Sequence, residues 1–252
     1  MILDIKIETI AELVTGLSDL RNKTPKGEPI WFRGHANKKF KLLPSIARNP
    51  KGLDLEGLLI KKFKQNAYPF RTLPPKSEWE WLFLMQHFGV PTRLLDWTES
   101  PLAGLYFAIN DLPENEAEDA HLWALLPAKY NSDFPRIRFK VNIDIPSFEV
   151  DKVLEDYRPD IVTLETATTK FPVAAIAHRQ NERIMAQLGV FTIMHRDATP
   201  IENIADDCLA RFTIPTGAKI RLREELQSLH ITRMTLFPEL ASVATLTKEF
   251  LP

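Results

Sequence analysis

Residues 77–110, SEWEWLFLMQHFGVPTRLLDWTESPLAGLYFAIN, restrict the fold more than any other part of the chain. A capping box at Ser77, with a glutamate three residues later, predicts the start of a strongly apolar helix. Gly89 suits the position just after that helix, and Pro91 prevents the helix from resuming. A second apolar helix is predicted to begin at Pro101, directly after a capping serine. The segment between these helices is therefore predicted to be a short strand held in the core.

Hydrophobic periodicity predicts the remaining elements. A helix is expected near 10–21, where Thr9 and Glu12 form a capping box, and another around 55–63. Two more are expected near the C-terminus, the first of them using Ile220, Leu226 and Leu229. The predicted strands are PIWFRG, AHLWALLP, RFKVNID, FPVAAIA, VFTIMH and CLARFTIP. The sequence thus predicts a single α+β domain with a helical N-terminal part and a mainly antiparallel or split sheet, most of whose strands come from the C-terminal half. Within 1–252, residues 1–27 are expected to form an N-terminal helical extension and 216–252 a C-terminal helical region packed on the domain.

Composition excludes several classes of protein. The net charge of −1 over 252 residues provides no long-range field toward nucleic acid or an anionic membrane. The single cysteine, Cys208, rules out an internal disulfide, and the scattered histidines do not support a metal site. No apolar stretch reaches the roughly 20 residues of a membrane span, so a soluble cytoplasmic protein is expected.

Arg33 is a charged residue in an unusual place, since it lies inside the apolar stretch WFRGH. A guanidinium buried there without a partner costs several kcal/mol. It either pairs with an internal carboxylate such as Asp96, or lines a pocket and receives a phosphate or carboxylate of a ligand, with Gly34 letting the ligand approach the backbone. The sequence leaves both alternatives open.

The segment QHFGVPTRLLDWT concentrates polar side chains between two apolar helices. A purely structural loop satisfies its polar groups with fewer side chains, which favours a site. The alternative is that Arg93 and Asp96 pair with each other and that His87 only packs. The polar residues of this segment are Gln86, His87, Thr92, Arg93, Asp96 and Thr98.

A third polar cluster follows in HRQNERIMAQLGVFTI, residues 178–193. Arg183 and Gln187 are four residues apart and share one helical face. Gly189 then releases the chain into a strand. By itself this cluster favours a capped helix end with exposed polar residues over a site.

Taken together, WFRG, LFLMQHFGVPTRLLDWTESPLAGLYFA, NERIMAQLGVFTI and TLFPEL resemble the FRG-domain family, named for the tripeptide Phe32-Arg33-Gly34. The resemblance extends from about residue 28 to 240. The family is spread through bacteria and their mobile elements, and it implies no established general activity.

A weaker resemblance links the chain to the ADP-ribosyltransferase fold. That resemblance implies that Arg33 helps to hold NAD, that Asp96 and Thr98 lie near the polar positions of the second motif, and that the third falls at Gln187. Many such enzymes have a catalytic glutamate there, because a carboxylate stabilises the oxocarbenium-like transition state. Glutamine carries no charge, so the carboxylate would have to come from Glu182 or Glu165.

The leading interpretation is a nucleotide-binding protein with an ADP-ribosyltransferase-like core and NAD as substrate, acting as a toxin or anti-phage effector. No built-in cofactor and no metal are expected. The expected partners are a nucleotide, a protein or nucleic-acid acceptor, and a cognate antitoxin or defence-system protein, without a membrane. The expected catalytic residues are Arg33, Asp96 and Gln187, and the expected nucleotide-binding residues are Phe32, Arg33, Gly34, His87, Thr92, Arg93, Thr98 and Arg183.

Two other interpretations remain open. One is a non-catalytic module that senses a ligand or a partner through the same cleft. The other is a nucleic-acid-binding or -processing protein that uses a basic patch. The patch would consist of Lys38, Lys39, Lys41, Lys61, Lys62 and Lys64.

Overall fold

The structure is a computed structural model that describes residues 2–70, 75–110, 113–137, 139, 141, 144–162, 169–179 and 181–248. Its strands form one sheet in the order β1-β7-β4-β2-β3-β6-β5, in which only β1 and β7 run parallel. The strands are β1 (Leu3–Lys6), β2 (Trp31–His35), β3 (Leu94–Thr98), β4 (Ala120–Leu125), β5 (Val173–Ala175), β6 (Gly189–Ile193) and β7 (Leu209–Ile214).

This sheet confirms an α+β fold with mainly antiparallel pairing, and the alternative of a split sheet was wrong. The prediction that most strands come from the C-terminal half was also wrong, because β1 to β4 all end by Leu125. Residues 1–27 are not purely helical, since Leu3–Lys6 pairs with β7 at the edge of the sheet. The four-residue strand alternates half-buried and exposed side chains, a pattern too short to separate from a helix start. The predicted strand RFKVNID lies largely outside the described residues.

The helices begin where their capping residues predict. The hydroxyls of Thr9, Ser77 and Ser100 each accept a hydrogen bond from the backbone N–H three residues later. Gly89 adopts a φ of 75° directly after the third helix, as its predicted position requires. The helices are α1 (Ile10–Asn22), α2 (Gly52–Ala67), α3 (Glu78–His87), α4 (Pro101–Ile109), α5 (Pro127–Asp133), α6 (Pro159–Val162), α7 (Glu182–Ala186), α8 (Ile201–Ile204), α9 (Lys219–Ser228), α10 (Arg233–Leu236) and α11 (Leu240–Lys248).

Helices α1, α4 and α9 share an apolar cluster with β2, β4 and β7. A separate cluster joins α3 to β3, β5 and β6. The apolar stripe predicted for α9 was partly wrong: Leu226 is buried, but Ile220 and Leu229 are exposed and Leu222 takes the second core position. None of the described helices is long and apolar enough to cross a membrane.

Helix α4 lies directly on β2, and two glycines permit this. A Cβ at Gly34 would stand 2.3 Å from both the Ala108 nitrogen and the Gly104 oxygen, while one at Gly104 would stand 2.9 Å from the Phe32 Cβ. Such contacts cannot be relieved by rotating a side chain, because the first two atoms belong to the backbone of α4. Gly34 therefore sets the approach of helix to strand, a role different from the predicted approach of a ligand.

The two central strands hardly pair. Although β2 and β3 are each five residues long, their register contains one partner pair, Phe32 with Thr98. Beyond that pair, the Arg33 guanidinium donates to the backbone oxygen of Asp96 at 2.6 Å, where an antiparallel ladder would continue. A gap thus opens in the middle of the sheet, between the α3 cluster and the α4 cluster.

Candidate functional site

A cavity of about 340 Å³ lies at this gap. It is lined by parts of β2, α3, β3, α4, α7 and β6 and gathers members of all three polar segments singled out in the sequence. Thr92 and Arg93 are not among its lining residues. The predicted residues that line it are Phe32, Arg33, Gly34, Gln86, His87, Asp96, Thr98, Arg183 and Gln187.

Arg33 is half-buried in the cavity wall and is held by two acceptors. Its Nε donates to His35 Nε2 at 3.1 Å, and its Nη1 donates to the Asp96 backbone oxygen. Burial lowers the pKa of Arg33 to about 10, although the nearby Asp96 carboxylate opposes this shift. Arg33 thus contacts Asp96 through the backbone oxygen, and its guanidinium is not within ion-pair distance of the Asp96 carboxylate. It also lines a cavity, as the second alternative predicted.

His35 is almost fully buried behind Arg33. Burial, and then the positive charge of Arg33, hold the pKa of His35 well below its usual value. The imidazole is therefore neutral at pH 7, and its Nε2 carries the lone pair that accepts from Arg33. His35 was not predicted as a site residue, although it lies within the quoted WFRGH.

A chain of hydrogen bonds orients Asp96. The Leu94 N–H donates to Thr92 Oγ1 at 3.2 Å, the Thr92 hydroxyl donates to Gln86 Oε1, and Gln86 Nε2 donates to Asp96 Oδ2 at 2.6 Å. Because a carboxylate only accepts hydrogen bonds, the amide nitrogen has to face Asp96, which leaves the amide oxygen to accept from the hydroxyl. Thr92 is fully buried and acts behind the wall, which corrects its prediction as a nucleotide-binding residue.

Arg93 is a structural residue, and its prediction as a nucleotide-binding residue was wrong. Its side chain is 1% exposed and pairs with Glu56, whose carboxylate is 2% exposed, at 2.8 Å. Its two terminal nitrogens donate to the backbone oxygens of Met194 at 2.6 Å and Tyr157 at 2.7 Å. The guanidinium joins α2 and β6 to the turn before α6 and has no access to the cavity.

Helix α7 forms the opposite wall. Arg183 Nη1 donates to the His87 backbone oxygen at 3.5 Å, and the Thr98 hydroxyl donates to the Gln187 backbone oxygen at 2.6 Å. The Gln187 amide does not point its nitrogen at a ligand, since Nε2 donates to the Leu236 backbone oxygen at 3.0 Å. The His87 ring packs edge-on against Phe88.

Several lining residues were missed. Arg48 is exposed and comes from a segment whose punctuated sequence predicted only extended chain, so nothing in its spacing indicated a site. Asn110 and Asn181 end α4 and cap α7, respectively. Aromatic rings supply the apolar part of the wall, and they belong to Phe40, Phe83, Trp97, Phe107 and Phe191.

The cavity is positively charged. Three lining arginines, Arg33, Arg48 and Arg183, face one lining carboxylate, that of Asp96, which gives a formal charge of 3 − 1 = +2. Across the described residues, none of these guanidiniums has a carboxylate within 4.0 Å. Glu182 is exposed and does not line the cavity, and Glu165 lies outside the described residues. An unneutralised set of guanidiniums suits an anion.

Two other expectations concern charges elsewhere. In the described part of the chain, the one grouping with metal-ligand spacing is Asp133, Asp207 and Cys208, and Lys129 Nζ donates to all three at 2.8, 2.7 and 3.4 Å. An ammonium thus already occupies the position of a cation. In the predicted basic patch, three lysines are paired with carboxylates: Lys38 with Asp119, Lys39 with Glu118 and Lys64 with Glu78.

These features define an α+β protein with a cationic, aromatic-walled cavity at the centre of its sheet. Residues 28–117 match the family model of the FRG domain, so the chain contains an FRG domain over this range, as the resemblance predicted. The match covers β2, α3, β3 and α4 but not α7 or TLFPEL, so the resemblance beyond residue 117 stays a prediction. No curated protein and no solved structure matches the chain, and the ADP-ribosyltransferase resemblance is not confirmed.

Proposed function

We propose that the central cavity binds a nucleotide through its phosphates, with NAD as the leading candidate. The observation that carries this proposal is the convergence of Arg33, Arg48 and Arg183, none of which is neutralised by a described carboxylate. Guanidiniums present planar sets of donors that match phosphate oxygens. Guanidiniums without a carboxylate partner repel each other, and an anion that binds among them does not have to displace an internal carboxylate.

The rest of the wall suits the other parts of a nucleotide. Phe83 and Phe107 offer aromatic faces or edges to a base or nicotinamide ring, and Asp96 offers an acceptor to a ribose hydroxyl. A volume of about 340 Å³ is at the lower end of small-molecule pockets, about 300–1,000 Å³. This size fits a mononucleotide, or one half of a dinucleotide with the remainder at the mouth.

Asp96 is the residue on which turnover would depend. In ADP-ribosyl transfer the nicotinamide leaves with the electron pair of its glycosidic bond, and the ribosyl cation is captured by water or by a nucleophile of a protein or nucleic acid. The one lining carboxylate, fixed by Gln86, can stabilise this cation. A role as a toxin or anti-phage effector, with an antitoxin or defence-system partner, belongs to this catalytic form of the proposal.

A non-catalytic sensor is the second candidate, and the position of Gln187 favours it. Its amide carries no charge and already bonds to Leu236. The wall formed by α7 therefore offers no carboxylate to the sugar, and the cavity can hold a nucleotide without cleaving it.

Incubation with NAD labelled in the nicotinamide ring distinguishes these candidates. Release of nicotinamide that Arg33→Met abolishes supports the enzyme, and saturable binding of NAD without release supports the sensor. Arg221→Met is the matched control, because Arg221 is an exposed α9 residue paired with Glu225 and should leave both readouts unchanged. Absence of binding to NAD, ADP and AMP by calorimetry would contradict both candidates.

A further inference from the structure

The C-terminal segment packs against lining residues of the cavity from outside it. Phe237 follows α10, and its ring lies under the Arg183 guanidinium, with 4.6 Å between the guanidinium carbon and the ring centroid. On the same ring, Arg233 approaches to 5.4 Å, and the cavity-lining Phe107 packs edge-on with centroids 5.9 Å apart. Phe237 therefore contacts two lining residues without lining the cavity itself.

Hydrogen bonds to the backbone of Leu236 and Phe237 fix the segment that carries this ring. The carbonyl of Leu236, the residue before Phe237, accepts from Gln187 Nε2, and the Phe237 N–H donates to the Arg233 oxygen at 2.8 Å. A reciprocal capping box between Thr232 and Thr235 fixes the start of α10. The position of the ring relative to α7 is thus set by both the helix and the amide of Gln187.

The contact between Phe237 and Arg183 differs from an ion pair in one respect. A carboxylate would orient the guanidinium but would also neutralise it, whereas an aromatic face attracts the cation through its quadrupole and leaves the net charge intact. A free arginine side chain has about 2 kcal/mol of rotamer entropy to lose when it is fixed on a ligand. The ring and the His87 carbonyl fix part of that freedom before a ligand arrives.

We propose that Phe237 is a positioning residue that preorganises Arg183 to bind the phosphate group of the ligand. The inference rests on the proposed function, since it assumes that the cavity takes a phosphate. It adds that the site is completed by a segment about 120 residues beyond the end of the matched FRG domain, which spans residues 28–117. Truncation of the ring should therefore weaken phosphate binding through Arg183 alone.

A double-mutant cycle measured by calorimetry with inorganic pyrophosphate, and with ADP, tests this role. Phe237→Leu keeps the apolar bulk but removes the ring face, and we expect about 3- to 10-fold weaker binding, the range of one cation–π contact. Phe237→Tyr should bind within about 2-fold of the wild type because the ring face is retained. In an Arg183→Met background, Phe237→Leu should have no further effect, which a general loss of packing would not produce.

The controls separate failure of this inference from failure of the proposed function. Phe70→Leu changes an exposed phenylalanine outside the cavity and should not alter binding. If Phe237→Leu does not fold, Phe237→Met replaces it in the cycle. Wild-type binding with equal effects of the leucine substitution in both backgrounds would refute the role of Phe237 only. No binding of pyrophosphate or ADP by the wild type would refute the proposed function, and this inference with it.

Discussion

Arg33 and Arg93 both lie within the matched FRG domain, yet their surroundings differ completely. Arg93 is 1% exposed, pairs with Glu56 and donates to two backbone oxygens. Arg33 donates to one imidazole and one backbone oxygen, lines a cavity and has no carboxylate partner among the described residues. A buried charge that stabilises a fold is fully satisfied, whereas one that serves a ligand retains unused donors.

The same difference holds for the two sides of the sheet centre. The Arg93 guanidinium is already bonded to Glu56 and to two backbone oxygens, so no ligand is needed to satisfy it. The wall around Arg33 exists because β2 and β3 pair only at Phe32 and Thr98. Broken strand pairing exposes backbone and side-chain groups that a regular ladder would cover. Four predictions test whether this contrast between fold and site is correct.

The largest expected effect is on stability. Arg93→Met leaves the Glu56 carboxylate buried without a partner and should lower the free energy of unfolding by about 3–5 kcal/mol. Arg33→Met should lower it by less, about 1–3 kcal/mol, since it leaves the neutral His35 Nε2 without its donor but leaves no buried charge unpaired. Urea denaturation measures both values. The contrast fails if the two variants lose equal stability, and it is sharpened if Glu56→Leu restores part of the stability of Arg93→Met.

Ligand binding should show the reverse order. Arg33→Met removes a charged donor set from the cavity and should weaken ADP binding by about 1.5–3 kcal/mol, which is roughly 10- to 150-fold. Calorimetry at constant salt measures the affinity, with Arg221→Met as the exposed control. Unchanged affinity in Arg33→Met would remove Arg33 from the site and leave it as a second structural arginine.

The pH dependence of stability should show whether His35, which accepts a hydrogen bond from Arg33, stays neutral in the folded chain. Burial and the charge of Arg33 keep the pKa of His35 well below its usual value. As the pH falls through about 6.5, His35 therefore takes up a proton in the unfolded chain but stays neutral in the folded chain. The contribution of neutral His35 to stability is therefore complete above about pH 6.5 and is lost as the pH falls below it. Each fully titrating group contributes at most about 1.4 kcal/mol per pH unit.

Comparison of variants isolates this contribution, since His121 and His195 also have pKa values lowered to about 4 by burial. His35→Gln keeps an acceptor for Arg33 but does not titrate. Its unfolding free energy should fall less steeply than that of the wild type between pH 6.5 and 4.5. The exposed His178→Gln should follow the wild type. Parallel curves for all three proteins would show that His35 is not held neutral.

The smallest expected effect concerns Asp96. Asp96→Asn retains an oxygen that accepts from Gln86 and removes the one negative charge of the lining. Pyrophosphate should bind about 2- to 5-fold more tightly, since a unit charge a few ångströms away in a water-like dielectric is worth up to about 1 kcal/mol. If the wild type releases nicotinamide from NAD, as the catalytic form of the proposal expects, this variant should lose that activity. Weaker pyrophosphate binding would mean that Asp96 positions the arginines instead of opposing the anion.

The sequence predicted much of the frame of the site. Capping residues predicted where α1, α3 and α4 begin, because a cap depends on neighbours only three residues away. Members of the three polar segments singled out in the sequence line one cavity, among them Arg33, Asp96 and Arg183. The edge strand Leu3–Lys6 was missed, since its pairing partner lies about 200 residues further along the chain.

The division between arginines paired in the core and arginines that line the cavity was decided only by the tertiary structure. Arg93 and Asp96 are three residues apart and were open to pairing with each other, yet the carboxylate that Arg93 contacts belongs to Glu56, 37 residues earlier. Arg48 joins the cavity wall from a segment whose local sequence pattern gives no signal of a site. Local sequence determines helix starts and the supply of polar groups, because these depend on neighbouring residues. Which charges remain unpaired depends on distances across the fold, and those distances exist only after the sheet has assembled.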